Sequence, residues 1–390
     1  MKYYSFGEPS GRFIGYSQGF KVYATTIARQ YTDMRQPEKK AVPQGEFYFG
    51  YGPSTGGMIE SVGVDLLTPG ELITEAYVNP SYKQRNVTIR GRTIGDASLI
   101  VERINAFHCA AHSIAFASAV EDALGFDLPD GIAHTRIIAL ELERIRSNLL
   151  VIERMCQPAG FGVPANQLAI LREEATRIVS RATGHRYFFS SISPGCSMMN
   201  LSGVGNAVRK ISSTFSRIYD DLLESKVFMS RLINNGKVSI DSLIGPAARA
   251  SGQARDARID SATLPYSRFG FTPILHETSD AFARFQVRSE EILQSAGIVS
   301  DALNGASNTG KMEKLEGDGE GAARVESPQG DIFYYVKVEN SIVRDIVMVS
   351  PSSSNIAAFT QSMKGNIFTD FHFNWESFGI WISEAGVVLQ

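Results

Sequence analysis

The feature that most constrains this chain is a series of helical patterns that fills residues 95 to 303. Five stretches carry apolar residues at three- and four-residue spacing, which is typical of amphipathic helices. They predict helices at 95–124, 130–155, 166–182, 206–234 and 279–303, with a loop-rich insert at 236–273. Long helices joined by short connections pack as a bundle. Residues 76–304 are therefore predicted to form a helical bundle core.

Strand patterns dominate the sequence on both sides of this core. Residues 1–75 hold alternating runs such as "EFYFGYG" and "MIESVGVDLL", which indicate strands and turns. A Gly-rich link at 305–322 leads to a C-terminal segment, 323–390, with the runs "DIFYYVKVE" and "SIVRDIVMVS". The predicted fold class is α+β, with a central long-helix bundle between β-rich N-terminal and C-terminal segments. The C-terminal segment is expected to complete the functional site.

Composition excludes several classes of function. A net charge of -3 provides no positive field for nucleic acid, so no nucleic-acid partner is expected. The three cysteines, Cys109, Cys156 and Cys196, are too few and too far apart for a disulfide framework or a complete thiolate metal site. The N-terminus does not resemble a signal peptide, and no apolar stretch approaches the roughly 20 residues needed to span a bilayer. A cytoplasmic location is therefore expected, with partners holding the chain at any membrane.

Six short segments, in a fixed order, carry a family resemblance. They are "YGPSTGGMIESVGVDLLTPGE", "GRTIGDASLIVERI", "TGHRYFFSSISPGC", "GPAARASGQARDARIDSATLPY", "SDAFARFQVRSEEILQS" and "RVESPQGDIFYYV" with a later "PSSSN". In this order they resemble the [NiFe]-hydrogenase large-subunit superfamily, which includes the quinone-site large subunit of respiratory complex I. The branch they resemble most is that of membrane-bound, energy-converting hydrogenases of the formate hydrogenlyase type.

The resemblance implies a role as well as a fold. In this superfamily the large subunit packs against a small subunit that carries an iron–sulfur cluster, and both join other peripheral-arm subunits and ion-translocating membrane subunits. The chain is therefore expected on the cytoplasmic side of a membrane, held there by its partners. By resemblance, it would pass electrons from the partner cluster to a quinone or another small acceptor.

The metal-binding positions of the family hold other residues in this sequence. Hydrogenases bind nickel and iron through two Cys-x-x-Cys pairs. The first pair falls on Asn105 and His108, with the family histidine at His112, and we place the second pair on His372 and Trp375. Since amide, imidazole and indole groups do not replace soft thiolate ligands, the resemblance predicts that the NiFe centre is absent.

Other family positions have also changed. The arginine of the A-P-R-G motif corresponds to Gln329, and the quinone-binding histidine of the complex I hairpin corresponds to Thr55. Arg85 is retained from the H-R-G-I-E motif, while the quinone-binding tyrosine corresponds to Ile94. We expect Asn105, His108, His112 and Arg85 to act on the acceptor, and Thr55, His372, Trp375 and Gln329 to line its cavity.

The histidines leave three hypotheses open. His108 and His112 are four residues apart, a chelating spacing on a helix, and His372 could add a third imidazole for zinc or iron. Alternatively, the imidazoles fill the vacated volume and form hydrogen bonds. In the third hypothesis the chain is a non-catalytic scaffold whose cavity is filled by Trp375, Phe107 and Phe373.

Charged residues outside these motifs have two interpretations. Asp256 and Arg258, with Asp280, match charged family positions near the expected cavity. They could form a proton path, because buried carboxylates have shifted pKa values, or an ion network that holds a loop-rich segment. Glu102 and Arg103 are expected to form an ion pair between helices.

Overall fold

The computed structural model describes residues 3–6, 12–17, 20–25, 39–54, 57–238, 240, 243–261, 263–307 and 315–390. Helices, several small antiparallel sheets and one two-stranded parallel sheet occur in these residues, which confirms the predicted α+β class. Among the described residues, no helix is long and apolar enough to cross a membrane.

The N-terminal part is a set of short strands, as predicted. Three of them form a sheet in the order β1-β3-β2, with β1 at Tyr3–Phe6, β2 at Arg12–Ser17 and β3 at Phe20–Thr25. A second antiparallel sheet has the order β4-β5-β6, with β4 at Phe47–Tyr51, β5 at Gly63–Thr68 and β6 at Glu75–Asn79. In β5, Val64 and Leu66 are buried and alternate with the partly exposed Gly63 and Asp65, the two-residue period of a strand with one covered face, whereas the last two residues, Leu67 and Thr68, are both buried. A short strand, β7 at Arg85–Val87, follows.

The bundle lies between the two β-containing parts. Its elements, in chain order, are α1 Ile94–Val101, α2 Cys109–Leu124, α3 Asp130–Cys156, α4 Gly162–Thr183, the hairpin of β8 Ile192–Ser193 and β9 Cys196–Ser197, α5 Val204–Glu224, α6 Lys226–Leu232, α7 Gly245–Arg249, α8 Ala257–Asp260 and α9 Ala281–Ala302. The central helix, α3, is buried along nearly its whole length and packs between α4 and α9. The predicted helices at 130–155, 166–182 and 279–303 correspond to α3, α4 and α9.

Two predicted helices are broken in the structure. The stretch predicted as one helix at 95–124 is interrupted after Val101, where the Asn105 side chain accepts a hydrogen bond from the Phe107 N–H and begins a 3-10 turn at Ala106–His108. The stretch at 206–234 divides at Ser225, whose hydroxyl caps α6. Asn and Ser side chains compete with the backbone for such hydrogen bonds. Apolar spacing alone does not reveal these breaks.

The C-terminal part is less β-rich than predicted. The meander is present as β10 Gly319–Ser327, β11 Gly330–Glu339 and β12 Ile342–Val349, and β10 begins inside the predicted link of 305–322. The residues after Val349 are mainly helical, with α10 Pro351–Ser362, α11 Phe371–Phe378 and α12 Ile382–Ala385, before a last strand, β13 Val387–Leu389. Pro351 at the first position of α10 suits a helix start. The prediction of a β-rich segment up to residue 390 was therefore wrong.

The two β-containing parts meet through short strands, since β13 runs parallel to β7, with Val387 opposite Arg85. The meander packs against α2 through glycines of the "EGDGEGAA" stretch: a Cβ atom at Gly321 would lie 2.3 Å from the Ala123 nitrogen. Only glycine permits this approach. The meander is therefore held close to the C-terminal end of α2, where Ala123 lies.

Candidate functional site

The N-terminal end of α2 brings three of the predicted residues together. Asn105, His108 and His112 are all buried, with at most 3% of their surface exposed. His108 Nε2 lies 3.4 Å from the Ser147 hydroxyl on α3. His112 Nδ1 lies 2.9 Å from the Tyr334 hydroxyl on β11. The two imidazoles are thus held by neighbouring elements as well as by their own helix.

Glu384, which the sequence analysis missed, is the centre of this site. Its Oε1 accepts a hydrogen bond from Asn105 Nδ2 at 2.8 Å and lies 2.5 Å from His108 Nδ1 and 3.5 Å from His112 Nε2. Its Oε2 accepts from the Ser352 hydroxyl at 2.7 Å. Burial alone would raise the pKa of Glu384, but the charges and hydrogen bonds of the two imidazoles lower it. The carboxylate is therefore the ionised acceptor around which the amide and imidazoles are arranged.

Two charged side chains hold α12, and with it Glu384, in place. Glu60 accepts hydrogen bonds from the Ile382 and Ser383 N–H groups at the start of α12, at 2.5 and 3.1 Å. Arg85 donates to the Ile104 carbonyl at 2.5 Å and to the Ser383 carbonyl at 2.8 Å. Arg85 does not contact the imidazoles; it joins the residue before Asn105 to the residue before Glu384. Its place in the structure is that of a positioning residue.

Gln329 connects the site to a buried cation. It lies in the turn between β10 and β11, where its Nε2 donates to the Ser147 hydroxyl at 3.1 Å. Its Oε1 accepts from Arg288 on α9 at 2.6 Å. The site therefore has a guanidinium nearby even though the family arginine is replaced, because Arg288 reaches Gln329 from another helix.

The placement of the second Cys-x-x-Cys pair on His372 and Trp375 was wrong. His372 is in α11, where its Nε2 lies 2.5 Å from the Tyr51 hydroxyl, and Trp375 packs against the Phe359 ring with centroids 4.9 Å apart. Trp381 and Glu384, which have the same three-residue spacing nine positions later, both contact His108, and Glu384 also contacts Asn105. His372 and Trp375 lie instead in an aromatic run that forms α11.

Trp381 covers one side of the site. Its indole stacks on Phe107 with centroids 4.8 Å apart, and its edge contacts the His108 ring at 5.7 Å. The three histidines do not come together: within the described ranges, no group of three or more His, Cys, Asp or Glu side chains could hold a metal ion. Thr55, the fourth predicted lining residue, lies outside the described residues.

The other predicted charged residues pair with a charged neighbour or cap a helix. Asp256 and Arg258 pair with each other at 2.7 Å, below the site on the α9 side. Asp280 caps α9 by accepting from the Ala283 N–H at 2.9 Å. Glu102 pairs with its sequence neighbour Arg103, so the predicted ion pair exists but does not join two helices.

Comparisons with known proteins agree on one family. A family model for the 49 kDa subunit of respiratory-chain NADH dehydrogenase matches residues 164–317. The chain is 24% identical over 353 residues to the alpha subunit of the membrane-bound hydrogenase of Pyrococcus furiosus, covering 82% of each chain. It is 26% identical over 365 residues to a subunit of the NADH-quinone oxidoreductase of Geotalea uraniireducens, covering 82% of this chain and 92% of the relative. The chain is similar to the superfamily of complex I 49 kDa subunits and [NiFe]-hydrogenase large subunits.

A solved structure shows the same fold. The chain matches a chain of the membrane-bound sulfane sulfur reductase, an archaeal respiratory membrane complex, with a TM-score of 0.81 and 20% identity over 88% of this chain and 99% of that one. The recognition made from six short segments is therefore confirmed, and so is the large-subunit fold.

The side chains around Glu384 do not fit the NiFe centre that the family resemblance implies. Such a centre is held by four thiolates, whereas the side chains that meet here are an amide, an imidazole, an indole and a carboxylate, from Asn105, His108, Trp381 and Glu384. Burial raises the pKa of Cys109 well above its ordinary value, and neighbouring carboxylates raise it further. The nearest thiol is therefore a poor source of the thiolate that a soft metal needs.

Proposed function

We propose that this chain is the large subunit of a complex I-like membrane oxidoreductase that lacks the NiFe centre. Electrons from an iron–sulfur cluster in a partner small subunit would reach a quinone or another small acceptor near Glu384. The names of the relatives support this class of complex, since they are subunits of a membrane-bound hydrogenase and of NADH-quinone oxidoreductases. We also propose that further peripheral-arm subunits and ion-translocating membrane subunits hold the chain on the cytoplasmic side of the membrane.

The observation that carries this proposal is the contact of one carboxylate, Glu384, with the imidazoles of His108 and His112. Reduction of a quinone or a similar acceptor consumes protons as well as electrons. Glu384, His108 and His112 are groups that hold and transfer protons, and Tyr334 extends their hydrogen bonds by one step. Asn105 adds an amide that can donate to a reduced oxygen or sulfur atom. The site has changed from metal ligands to proton carriers and hydrogen-bond donors.

One observation favours a second candidate, the non-catalytic scaffold. Trp381 lies on Phe107 and against His108, and the imidazoles and Glu384 are almost completely buried. A scaffold requires such a filled site. The scaffold hypothesis named Trp375, Phe107 and Phe373 as the residues that fill the cavity, whereas Trp375 packs against Phe359 and Trp381 is the indole that stacks on Phe107. In both cases aromatic side chains occupy the space that a ligand would need.

The experiment is to purify the complex from its membrane and to compare two histidine variants. His108→Gln should reduce electron transfer about a hundredfold or more, while the complex remains assembled. His276→Gln is the matched control, because His276 also pairs with a carboxylate, Glu290 at 3.1 Å, but far from the site. The control should keep its full rate. Equal rates in both variants would favour the scaffold.

Metal analysis of the same preparation tests whether the NiFe centre is absent. We expect iron in amounts that the iron–sulfur clusters explain, nickel far below one atom per complex, and no hydrogen evolution. Stoichiometric nickel would show that the proposal is wrong. Stoichiometric zinc that is lost in His108→Gln would instead support a repurposed metal site.

A further inference from the structure

A second group of charged side chains is buried beside the candidate site. It lies between α3, α7, α8, α9 and the β10–β11 turn, and each member is at most 4% exposed. Three guanidiniums face four carboxylates at ion-pair distances in this cluster, which we call the α9 cluster: Arg144, Arg249, Arg258, Glu141, Asp256, Glu291 and Glu326. Arg288, one turn before Glu291 on α9, adds a fourth buried guanidinium that interacts with Glu291. Ionised carboxylates that share a guanidinium in a buried region repel each other, so a proton on one of them would reduce the cost of burial.

The four carboxylates are not equally supplied with donors. Asp256 forms ion pairs with Arg258 at 2.7 Å and with Arg249 at 2.9 Å. Its Oδ1 also accepts a hydrogen bond from the backbone N–H of Arg258. Glu291 lies 2.8 Å from each of these two guanidiniums. Both carboxylates therefore have two cations each.

Glu141 also has a full set of partners. It accepts from Arg144 at 3.1 Å, from the Tyr266 hydroxyl at 2.6 Å and from the Ser295 hydroxyl at 2.5 Å. The charged form of this carboxylate is thus stabilised by three side-chain donors.

Glu326 has the fewest charged donors of the four. Its Oε1 lies 2.8 Å from Arg249 Nη1, and Asp256 approaches the same nitrogen at 2.9 Å. Its Oε2 accepts a hydrogen bond from the Ala257 N–H at 3.0 Å. Two carboxylates on one guanidinium nitrogen repel each other when both are ionised. Burial and then Asp256 raise the pKa of Glu326 to about 7, against the effect of Arg249. Glu326 is therefore the position where the cluster binds a proton.

Every packed element around Glu326 contributes charges to this balance. Arg324 and Asp331 pair with each other at 2.8 Å on the same hairpin. Arg288 on α9 is a further buried guanidinium, and it interacts electrostatically with Glu291, Arg249 and Arg144. The other charged neighbours are the members of the α9 cluster itself, in which Asp256 and Glu326 approach the same nitrogen of Arg249.

A short series of contacts joins Glu326 to the candidate site. Glu326 is at the end of β10, and Gln329 follows three residues later in the turn to β11. Gln329 donates a hydrogen bond to the Ser147 hydroxyl, which is 3.4 Å from His108 Nε2. Arg144 fixes this turn by donating to the carbonyls of Glu326 and Ser327 at 2.7 and 3.1 Å. Because charges in the protein interior are screened less than in water, a change of charge at His108 or Glu384 would act on Glu326 through this turn.

We propose that Glu326 is a proton-storage residue that takes up a proton from water when negative charge enters the candidate site. The proton binds to the Glu326 carboxylate, and no electron moves within the α9 cluster. When the site is reoxidised, the carboxylate releases the proton. The coupling to reduction rests on the proposed function, whereas the proton bound at rest does not.

Infrared difference spectroscopy of the purified complex tests the stored proton first. A pH titration should show a protonated carboxyl C=O band with a midpoint at about 7, and this band should be lost in Glu326→Gln. Asp256→Asn should move the midpoint downward by about one pH unit or more, because it removes the nearest negative charge. Asp345→Asn, which breaks an exposed pair with Arg90, should leave it unchanged. Absence of the band in the wild type, or its persistence in Glu326→Gln, would overturn the proposal.

Reduction of the complex tests the coupling. The amplitude of the same band should increase when the complex is reduced at a pH near the midpoint, and it should return on reoxidation. A band that titrates at rest but does not respond to reduction would overturn the coupling. A failure of the proposed function has a different signature, since His108→Gln would then transfer electrons at the wild-type rate while the band at rest is unaffected.

Discussion

Replacement of Glu384 by glutamine is the most direct test of how the candidate site is held together. Glutamine keeps the shape and one carbonyl oxygen, but it removes the charge that Asn105, His108 and Ser352 approach at 2.5 to 2.8 Å. Removing one partner of a buried charge pair costs about 3–5 kcal/mol. We therefore expect Glu384→Gln to lower the free energy of unfolding by about this amount.

This loss can be converted to a melting temperature. With an unfolding entropy of about 2.1 cal/mol/K per residue, a chain of 390 residues has roughly 0.8 kcal/mol/K in total. The expected shift is then a decrease of about 4–6 °C. Glu153→Gln is the control, because its pair with Arg172 at 2.8 Å is partly exposed and such pairs contribute only about 0–1 kcal/mol.

The pH dependence of this effect has a definite sign. Because the folded protein lowers the pKa of Glu384 from its ordinary value of 4.5, the stabilisation is present above pH 4.5 and is lost as the pH falls towards the lowered pKa. The difference between the wild type and Glu384→Gln should therefore be largest at neutral pH and shrink in acid. Guanidinium unfolding followed by tryptophan fluorescence measures it. Equal midpoints at pH 7, or a difference that grows in acid, would refute the reasoning.

Three further predictions follow from the supports of the site. Gly379→Ala should lower the free energy of unfolding by about 2–4 kcal/mol, whereas Gly125→Ala should lower it by only about 1–2 kcal/mol. Both glycines end helices with φ near +65°, but only at Gly379 would a Cβ atom meet a side chain, at 2.1 Å. Thermal unfolding of the two variants measures the difference. Arg85→Ala should reduce electron transfer more than Arg90→Ala, since only Arg85 joins the two backbone segments of the site, and steady-state rates of the purified complex test this. Burial raises the pKa of Glu60 from its ordinary value of 4.5, so the wild type loses stability as the pH rises from 4.5 through this raised pKa. Glu60→Gln should therefore gain stability relative to the wild type over this range, which unfolding titrations at several pH values measure.

The sequence was sufficient to predict the bundle, because buried helices show an apolar period over three or more turns. It was not sufficient to predict where those helices break. The breaks at Asn105 and Ser225 depend on single side chains that cap the next turn, and an apolar period continues through them. The helices after Val349 were missed for a related reason, since an aromatic run such as "FHFNW" has no strong periodicity of its own.

The first half of the site was predictable because its residues share one element. Asn105, His108 and His112 lie within eight positions, so their spacing alone brings them close together. Glu384 comes from the other end of the described chain, and its place depends on α12 being held by Glu60 and Arg85. Local spacing contains no information on such a contact. A carboxylate also does not resemble the thiolate ligands of the family, so the motif gives no signal for it.

The identity of the replacement explains why the site can persist without a metal. Four thiolates in a buried site carry negative charge that only a bound cation compensates. Here a single carboxylate has donors on both oxygens, from Asn105, His108 and Ser352, with His112 next in range. A buried carboxylate with these partners is already stabilised by the protein. Under the proposed function, one fold holds two different site chemistries, and Glu384 is the residue that distinguishes this one from a thiolate site.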